Sequence, residues 1–526
     1  MSITHLPASS VPAGASSVPP GPTVAPAAPM LASETTAIAA LPAPLREPLL
    51  AFAQRLTALA SAHPDAPLAT LEDALLAAWS DSAPRLLAAL VGTTHSSLDP
   101  RLARARVPCP TCHGGTRVEA WRPRQLATQV GVLRLERPWR RCRSCRHGFS
   151  VTDQQLGIAP HARMSTGLAD LVVAFTSACS FAEAVALLTQ ATRVDVGQET
   201  ARELTCRAGS ALAARQNAAV EQVEQTGRPP GPVARPRGQL VAETDGVMVR
   251  YLDGWHEVRV GVVGGWLDRD APAAGLPAPT TPPTTTGPHG GAGGGDGDGG
   301  PVGTSESAPV GKPTGKPSGK LVDLSYVAAR EPAAAFVRRW GAEAARRGAL
   351  DVLGWKGRAK SIAVLPRVVV LGDGARWIWD GAAEQFGDRL EIVDVMHAIE
   401  HVWAVAKGVL GETSEQSRSW ANARVAELLD EGVDPVLRAF GSLPISTIEQ
   451  RELVRRERGY FMSNRERMRY REFREQGLPI GSGAVESSAR HVVQQRMKRA
   501  GMRWSEAGGR AMLALRAQRA TTLAAS

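Results

Sequence analysis

The sequence predicts an α/β protein of several domains, in which a mixed sheet with a helical insertion follows a cysteine ribbon and a helical domain. Three observations support this prediction. Two C-x-x-C pairs lie in an arginine-rich stretch, β-rich runs begin at Gln239, and an apolar strand ends at Asp373 and passes directly into a helix. With 526 residues, 43% of them hydrophobic, the chain can bury more than one core.

The first hundred residues carry no visible chemistry. Residues 1–35 are rich in Ala, Pro and Ser and lack the basic leader and apolar block of a signal peptide, so we predict a disordered tail. Residues 36–100 have apolar positions three and four apart, which predicts a helical lead-in. Because no apolar run reaches membrane-spanning length, we expect a cytoplasmic, nucleoid-associated protein with no membrane partner.

Four of the six cysteines form the pairs "CPTC" and "CRSC", which a spacer of 29 residues with hairpin-like alternation separates. In a reducing compartment, two such pairs indicate one tetrahedral metal site and not disulfides. We predict a zinc ribbon over residues 101–150, with one structural Zn²⁺ bound by Cys109, Cys112, Cys142 and Cys145. The spacer is longer than usual, so unpaired structural cysteines are the alternative.

The net charge of +10 is concentrated in two stretches of the chain. Residues 101–147 contain twelve arginines and two glutamates, and residues 451–519 contain sixteen arginines, one lysine and seven glutamates. Each stretch is net +10, so the remainder sums to about −10. Two basic surfaces on an otherwise acidic protein suit a polyanion such as DNA, bound at two places. The alternative is that many arginines only cover solvated helix faces.

Residues 160–226 predict a helical domain that resembles a helix-turn-helix. One helix ends near Thr192, a short turn reaches Val196, and a second helix follows with Arg202 among its early positions. In such an arrangement the second helix would present Arg202 to DNA. Any two packed helices have the same pattern, so a purely structural helix pair is the alternative.

From Gln239 the pattern changes to that of strands. The runs "QLVAETDGVMVRY" and "WHEVRVGVVGGW" are joined by "LDG", and a third β-rich run begins at Lys320. The intervening residues 269–319 are rich in Gly, Pro, Thr and Ser and cannot form a core, so we predict a disordered insertion at a hairpin tip. The main domain then covers residues 239–519.

Acidic residues lie within or at the ends of the strands predicted for this domain. Asp245 lies in the first strand, Asp373 ends "VVVLGD", and Asp394 ends "LEIVDV". Ligands and metals gather at strand ends of open α/β sheets, which makes these acids candidates for one site. For any single aspartate, a turn or helix cap is the simpler explanation. Glu243 shares a strand face with Asp245, and we expect it to be a solvated strand-end acid, with a supporting metal ligand as the alternative.

A further acid, Glu486, lies in the first turn of a helix that is predicted to run unbroken from Ala484 to Ala500 and is otherwise basic. Acids from separate strands and one helix suit two-metal phosphoryl transfer, because a pair of Mg²⁺ or Mn²⁺ ions requires hard oxygen ligands. The basic residues of the helix would contact DNA phosphates. We predict this role for Arg490, Arg496, Lys498 and Arg499.

Several motifs look very much like those of the ISKra family of insertion-sequence transposases. They are "TDG", "LGDGARWIW", "VDVMHAIEHVW" and the stretch from Tyr460 to Ser505, and the match covers about residues 101–519. The resemblance implies a DDE enzyme with a ribonuclease H-like catalytic core at 239–519. It also implies that the helical segment 396–476 is an insertion in that core.

The resemblance implies roles for individual residues as well. Asp245, Asp373 and Glu486 would be the DDE triad and would bind two Mg²⁺ or Mn²⁺ ions. Asp394 and His397 would support them, since similar transposases carry a D-x-x-H motif after the second aspartate. The N-terminal tail and the segment 269–319 are not recognised as family features.

The expected function is therefore that of a DNA transposase. It would bind the terminal inverted repeats of its element, cleave the strand ends and join them to target DNA, as a homo-oligomer in the synaptic complex. One alternative is a non-catalytic DNA-binding regulator, or decayed transposase, built on the zinc ribbon and the helix-turn-helix. Another is a metal-dependent nuclease without a joining step.

Overall fold

The structure is a computed structural model that describes residues 40–101, 105–268, 319–349 and 368–525. The chain forms two compact units. The first extends to Leu168 and includes Thr192–Val194, and the second comprises the remaining residues up to Ser526. The tail predicted at 1–35, and the insertion predicted at 269–319 apart from Gly319, lie outside the described residues.

The first unit consists of two helices followed by a small antiparallel sheet. Helix α1 spans Ala43–Ala62 and α2 spans Leu68–Thr94, as the apolar spacing predicts. Strand β1 (Thr116–Thr128) pairs with β2 (Gly131–Cys142), and β2 pairs with the short β3 (Gly148–Phe149). The hairpin predicted between the two cysteine pairs is therefore confirmed.

The core of the first unit lies between α2 and this hairpin. Val91 of α2 belongs to one buried cluster with Leu126, Leu133 and Leu135. On β2, buried and exposed residues alternate, because successive side chains of a strand point to opposite faces. The short helix α3 (Val151–Gln155) follows β3.

Among the described helices, α2 alone has the length and composition to cross a membrane, with a mean hydropathy of 1.2. The prediction that no apolar run reaches spanning length is wrong for this helix. A single helix of this kind is weak evidence for a span, because core helices of soluble proteins have the same length and composition.

Three helices follow: α4 (Thr166–Ala178), α5 (Phe181–Thr192) and α6 (Gln198–Thr226). The turn between α5 and α6 lies where the sequence predicts it. These helices do not form a compact unit of their own, since from Ala169 onwards nearly all of their residues belong to the second unit. A Cβ atom on Gly209 of α6 would lie 2.4 Å from the carbonyl oxygen of Ala511, so glycine allows close packing there.

The second unit is built on a five-stranded sheet. Its strands are β4 (Gln239–Tyr251), β5 (Gly254–Asp268), β6 (Gly319–Ala329), β7 (Val368–Gly372) and β8 (Arg389–Val393). Their order is β6-β5-β4-β7-β8. Strand β5 runs antiparallel to β4 and β6, whereas β7 is parallel to β4 and β8. The sheet is therefore mixed, as predicted, and Gly319 belongs to β6 and not to the predicted insertion.

Seven helices described between β6 and Gln476 connect and cover these strands. They are α7 (Ala333–Arg346), α8 (Arg376–Gln385), α9 (Val395–Leu410), α10 (Glu415–Asp430), α11 (Val433–Gly441), α12 (Ile448–Ser463) and α13 (Tyr470–Glu475). Helices α9 to α13 occupy nearly the whole of the segment predicted to be a helical insertion. The family resemblance predicts that this segment is helical.

The C-terminal stretch differs from the single helix that the sequence predicts. It forms α14 (Gly483–Ser488), a π-helical turn (Ala489–Gln494), α15 (Gln495–Met497) and α16 (Glu506–Ala525). The predicted helix is therefore continuous from Gly483 to Met497, but it contains a π-helical turn and ends before Ala500, the predicted last residue. Gly501, with a φ of 74°, lies in the break before α16, close to the predicted stop.

Two hydrophobic clusters hold the second unit together. One includes Trp340 and Phe386, whose rings meet edge to face at 5.2 Å, with the residues of β7. The other includes Val260 of β5, Val493 and Trp504. Trp504 is thus a packing residue.

Candidate functional site

Four cysteine side chains converge at one end of the first-unit hairpin. The Sγ atom of Cys112 lies 3.4 Å from that of Cys145 and 3.5 Å from that of Cys142, and the Sγ atoms of Cys109 and Cys145 are 3.6 Å apart. All four sulfur atoms lie within 4.8 Å of one another. Four Zn–S bonds of about 2.3 Å in a tetrahedron require sulfur separations of about 3.8 Å. The cluster could therefore hold a structural zinc ion and fits a zinc ribbon.

In both cysteine pairs, the residue after the second cysteine has a left-handed backbone conformation. His113 follows Cys112 with a φ of 58°, and Arg146 follows Cys145 with a φ of 59°. A hydrogen bond from the backbone N–H of Cys145 lowers the pKa of Cys142 to about 6. This shift favours the thiolate, the form of cysteine that binds metal.

The register of the large sheet brings three of the predicted acids to one level. Glu243 of β4 pairs with Leu371 of β7, so Asp245 and Asp373 each lie two residues beyond that pair. Strand β8 pairs in register with β7, which places Asp394 level with Asp373. Strands β7 and β8 end at this level, where ligands of open α/β sheets bind, whereas β4 continues to Tyr251.

Asp245 is half-buried, and the other acids influence its pKa. Its Oδ1 atom accepts a hydrogen bond from the backbone N–H of Gly246 at 2.6 Å. Burial raises the pKa of Asp245, and the negative charges of Asp373 and Glu486 add to the rise. The Gly246 N–H and His397 act in the opposite direction. The predicted acids are thus electrostatic neighbours, although they come from separate elements.

Asp373 lies in a turn that a distant tyrosine holds in place. Its Oδ1 accepts a hydrogen bond from the N–H of Ala375 at 2.8 Å, and its carbonyl oxygen accepts one from the hydroxyl of Tyr460 at 2.9 Å. Gly374 has a φ of 98°, and a Cβ atom there would lie 2.6 Å from the Tyr460 ring. The Tyr460 ring is stacked on His401 at 3.7 Å. Tyr460 belongs to α12, and nothing in its local sequence indicates this contact.

The carboxylate of Asp394 is buried and saturated with hydrogen bonds. Its Oδ1 accepts from the N–H of Met396 at 2.6 Å and from that of His397 at 3.3 Å, and its Oδ2 accepts from the N–H and the hydroxyl of Ser482. A carboxylate offers about four acceptor sites, and here all are used. Asp394 therefore caps α9 and clamps it to the loop before α14. His397 is half-buried, with its Nδ1 atom 3.4 Å from the carboxylate of Glu400.

Glu486 is exposed in the first turn of α14, and Glu243 fixes that turn to the sheet. The Oε2 atom of Glu243 accepts a hydrogen bond from the N–H of Val485 at 2.8 Å, whereas its Oε1 atom has no partner among the described residues. The expectation that Glu243 is solvated is wrong: its exposed fraction is 1%. Burial raises its pKa to about 8, the Val485 N–H opposes this effect, and the charges of Asp394 and Glu486 add to the rise.

The acids are gathered less tightly than the cysteines. Within the described parts of the chain, only the four cysteines bring three or more ligand atoms within 4.8 Å of one another. Asp245, Asp373 and Glu486 form a looser cluster, in which the charges of Asp373 and Glu486 contribute to the raised pKa of Asp245. Glu243 and Asp394 hold the surrounding elements, whereas Asp245 and Asp373 each accept a hydrogen bond from a nearby backbone N–H.

The residues predicted to bind DNA differ in their exposure. Arg490 and Lys498 are exposed and have no ion-pair partner among the described residues. Arg499 is exposed but pairs with Glu183 at 2.6 Å, and Arg202 is exposed but pairs with a glutamate one helical turn away. Arg490 and Lys498 are thus the free cations of this set.

Arg496 does not contact solvent, so the prediction that it binds phosphate is wrong. Its Nε atom donates a hydrogen bond to the carbonyl oxygen of Thr176 at 2.9 Å. Its guanidinium carbon lies 4.9 Å from the ring centre of Phe181 and 5.0 Å from that of Trp504. Burial lowers its pKa to about 10. A π-helical turn contains an extra residue, so positions after it face a different direction from that expected of a regular α-helix.

Fold and sites define an α/β protein with a mixed sheet, many helices and a four-cysteine cluster that could hold zinc. No family model matches the chain, and no curated protein is significantly similar to it in sequence.

Proposed function

We propose that this protein is a DDE-type DNA transposase with a ribonuclease H-like catalytic core. It binds the ends of its insertion sequence and performs metal-dependent strand cleavage and strand transfer, as a homo-oligomer acting on DNA in the cytoplasm. The observation that carries the proposal is the convergence of Asp245, Asp373 and Glu486, which the raised pKa of Asp245 reflects. The strand order and the resemblance of the sequence motifs to the ISKra family support it.

The chemistry of the cluster suits divalent cations. Asp245, Asp373 and Glu486 supply hard carboxylate oxygens, and the mutual repulsion of their charges would be relieved by Mg²⁺ or Mn²⁺. When bound, a pair of such ions would activate the attacking oxygen and stabilise the leaving oxygen of the phosphodiester. The residues of the chain orient these ligands: Tyr460 holds the Asp373 turn, and Asp394 clamps the loop that precedes Glu486.

The test is a strand-cleavage and strand-transfer assay on DNA containing the element ends, in Mg²⁺ and in Mn²⁺. Asp245→Asn, Asp373→Asn and Glu486→Gln each remove one negative charge and keep the side-chain shape. We expect each to reduce cleavage more than about 100-fold, since metal ligands contribute more than the groups that orient them. Binding of DNA at matched salt should hold or rise slightly, because the basic residues and not the acids contact phosphate.

The matched control is Glu506→Gln, which removes an exposed glutamate that pairs with Arg510 outside the cluster. It should cleave like the wild type. Full cleavage activity in any of the three triad variants would remove the catalytic assignment.

We expect a smaller loss of activity when the contact between Asp394 and Ser482 is weakened. Asp394→Asn and Ser482→Ala both weaken the contact that positions the Glu486 loop, so we expect similar and partial losses of roughly 10-fold. If Asp394→Asn is as damaging as the triad variants while Ser482→Ala is harmless, then Asp394 is itself a metal ligand.

The looser spacing of the acids is the observation that favours the non-catalytic regulator. That protein would keep the cysteine cluster and the exposed basic residues and would bind element ends without cleaving them. Cleavage without joined products would instead indicate the metal-dependent nuclease.

A further inference from the structure

A cleft of about 400 Å³ lies where the tip of the β4–β5 hairpin meets residues 497–503. The hairpin contributes Arg250 and Trp255 to its walls, and the facing segment contributes Lys498, Arg499 and Arg503. Among the described residues that line it there is neither an aspartate nor a glutamate.

Backbone hydrogen bonds hold the two walls together. The N–H of Leu252 donates to the carbonyl oxygen of Trp504 at 2.9 Å, and the N–H of Trp504 donates to that of Arg250 at 3.2 Å. The indole N–H of Trp504 donates to the carbonyl oxygen of Met497 at 3.1 Å. The cleft is therefore preformed by the fold and does not depend on the positions of flexible side chains alone.

The charge of the cleft is strongly positive and largely uncompensated. Arg250, Lys498 and Arg503 are exposed, and none has an ion-pair partner within the described parts of the chain. Arg499 is the exception, since it pairs with Glu183. Three free cations around one cleft favour an anion with several charges, such as a run of phosphates.

Trp255 adds a flat apolar surface among these cations. Its exposed fraction is 56%, although tryptophan is usually well buried in a folded protein. An indole face beside phosphate-binding cations suits a nucleotide, whose base stacks on the ring. In a duplex the base faces are covered by neighbouring base pairs, so such stacking requires an unpaired base.

We infer that this cleft binds an unpaired nucleotide of a DNA strand, with the base stacked on Trp255 and the neighbouring phosphates bound by the three free cations. The choice of DNA over RNA rests on the proposed function; the preference for an unpaired nucleotide does not. Transposition exposes unpaired strand ends, so the cleft would hold part of the substrate that the duplex-binding surfaces do not contact.

The test measures binding by the full-length protein without added divalent metal, so that no cleavage occurs. Fluorescence anisotropy would compare a labelled oligothymidylate of about 12 nucleotides with a strand of equal length that carries abasic sites. We expect Trp255→Ala to weaken binding of the oligothymidylate roughly 10-fold and to leave the abasic strand unaffected. Trp255→Phe keeps an aromatic face and should bind within about threefold of the wild type.

The cations should behave differently from the tryptophan. Arg250→Gln and Arg503→Gln should weaken binding of both strands alike and lower the slope of log affinity against log salt by about 0.7 each. The matched controls are Trp79→Ala and Arg438→Gln, which change an exposed tryptophan and an exposed arginine outside the cleft and should bind like the wild type.

Unchanged binding in Trp255→Ala, or an equal loss in Trp255→Phe, would overturn the inference. Tighter binding of an RNA strand of the same sequence would overturn the assignment to DNA. The outcome is separable from the proposed function. If the protein binds the strand through Trp255 but never cleaves DNA, the inference about the cleft stands and the proposed enzymatic function is wrong. If the protein cleaves DNA but Trp255→Ala binds the strand as well as the wild type, the proposed function stands and the inference about the cleft is wrong.

Discussion

The cysteine cluster draws its ligands from a single hairpin, whereas the acidic cluster draws its members from distant parts of the chain. Cys109 and Cys145 are 36 positions apart, but the hydrogen bond that anchors the Glu486 turn joins Glu243 to Val485, 242 positions away. Closing a short loop needs little ordering of the rest of the chain, so the four sulfurs reach near-tetrahedral spacing locally.

The acidic cluster depends on the whole second unit. The register of the sheet fixes the positions of Asp245 and Asp373. The position of Glu486 depends on the buried side chains of Asp394 and Glu243, which bind Ser482 and Val485. Like charges also repel each other, which favours a wider spacing of the three acids. A local ligand set can thus be complete in the folded hairpin, whereas a long-range set needs supporting residues such as Glu243.

The largest effect should come from breaking the local site. Cys109→Ser combined with Cys142→Ser removes two of four thiolates, so zinc content should fall from about one ion per chain to none. The first unit should lose its cooperative melt, and the second should keep its own. Elemental analysis and calorimetry measure the two results. Cys179→Ser, outside the cluster, should change neither, and unchanged zinc in the double variant would contradict the prediction.

Arg496 tests the long-range packing of the second unit. Arg496→Ala removes the hydrogen bond to Thr176 and the contacts with Phe181 and Trp504, so the free energy of unfolding should fall by about 3 kcal/mol. Arg490→Ala, on the exposed side, should change it by less than about 0.5 kcal/mol. Urea denaturation measures both. Equal effects in the two variants would mean that Arg496 is not buried in solution.

Glu243 should make stability depend on pH. Its folded pKa is about 8 against an ordinary value of 4.5, so its contribution to stability is fully present below pH 4.5 and is lost as the pH rises through about 8. The charged or titratable groups around it are Asp394, Glu486 and Tyr326. Glu243→Gln stays neutral, so its unfolding free energy should decline less between pH 5 and 9. Glu506→Gln should retain the wild-type decline, and an identical decline in Glu243→Gln would refute the assignment.

The smallest effect should come from shortening the connection between β5 and β6. Asp268 pairs directly with Gly319, so the chain leaves and re-enters the sheet at adjacent positions. Deleting residues 272–318 should leave the strands paired and stabilise the second unit by about 2 kcal/mol at most, because closure entropy rises slowly with loop length. Thermal melting measures this. Aggregation of the deletion variant, or loss of its cooperative melt, would show that the segment is part of the fold.

Patterns within short stretches were sufficient for much of the fold. The spacing of the cysteine pairs predicted the cluster, and alternation predicted the β4–β5 hairpin. The helices between Asp394 and Gln476 were implied by the family resemblance. The sequence also made Asp245 and Asp373 candidates for one site, but their placement at one level comes from the register of β4 with β7, because Asp245 lies in the middle of β4.

The burial of individual charged residues was decided only by tertiary structure. Glu243 and Arg496 look like solvated residues in the sequence, yet both are covered by segments hundreds of positions away. The same holds for the contact of Tyr460 with Asp373. Local sequence determines which backbone conformations and which faces are available, because those depend on neighbours along the chain. Which charges lose their water depends on which faces pack together, and that is a property of the whole folded unit.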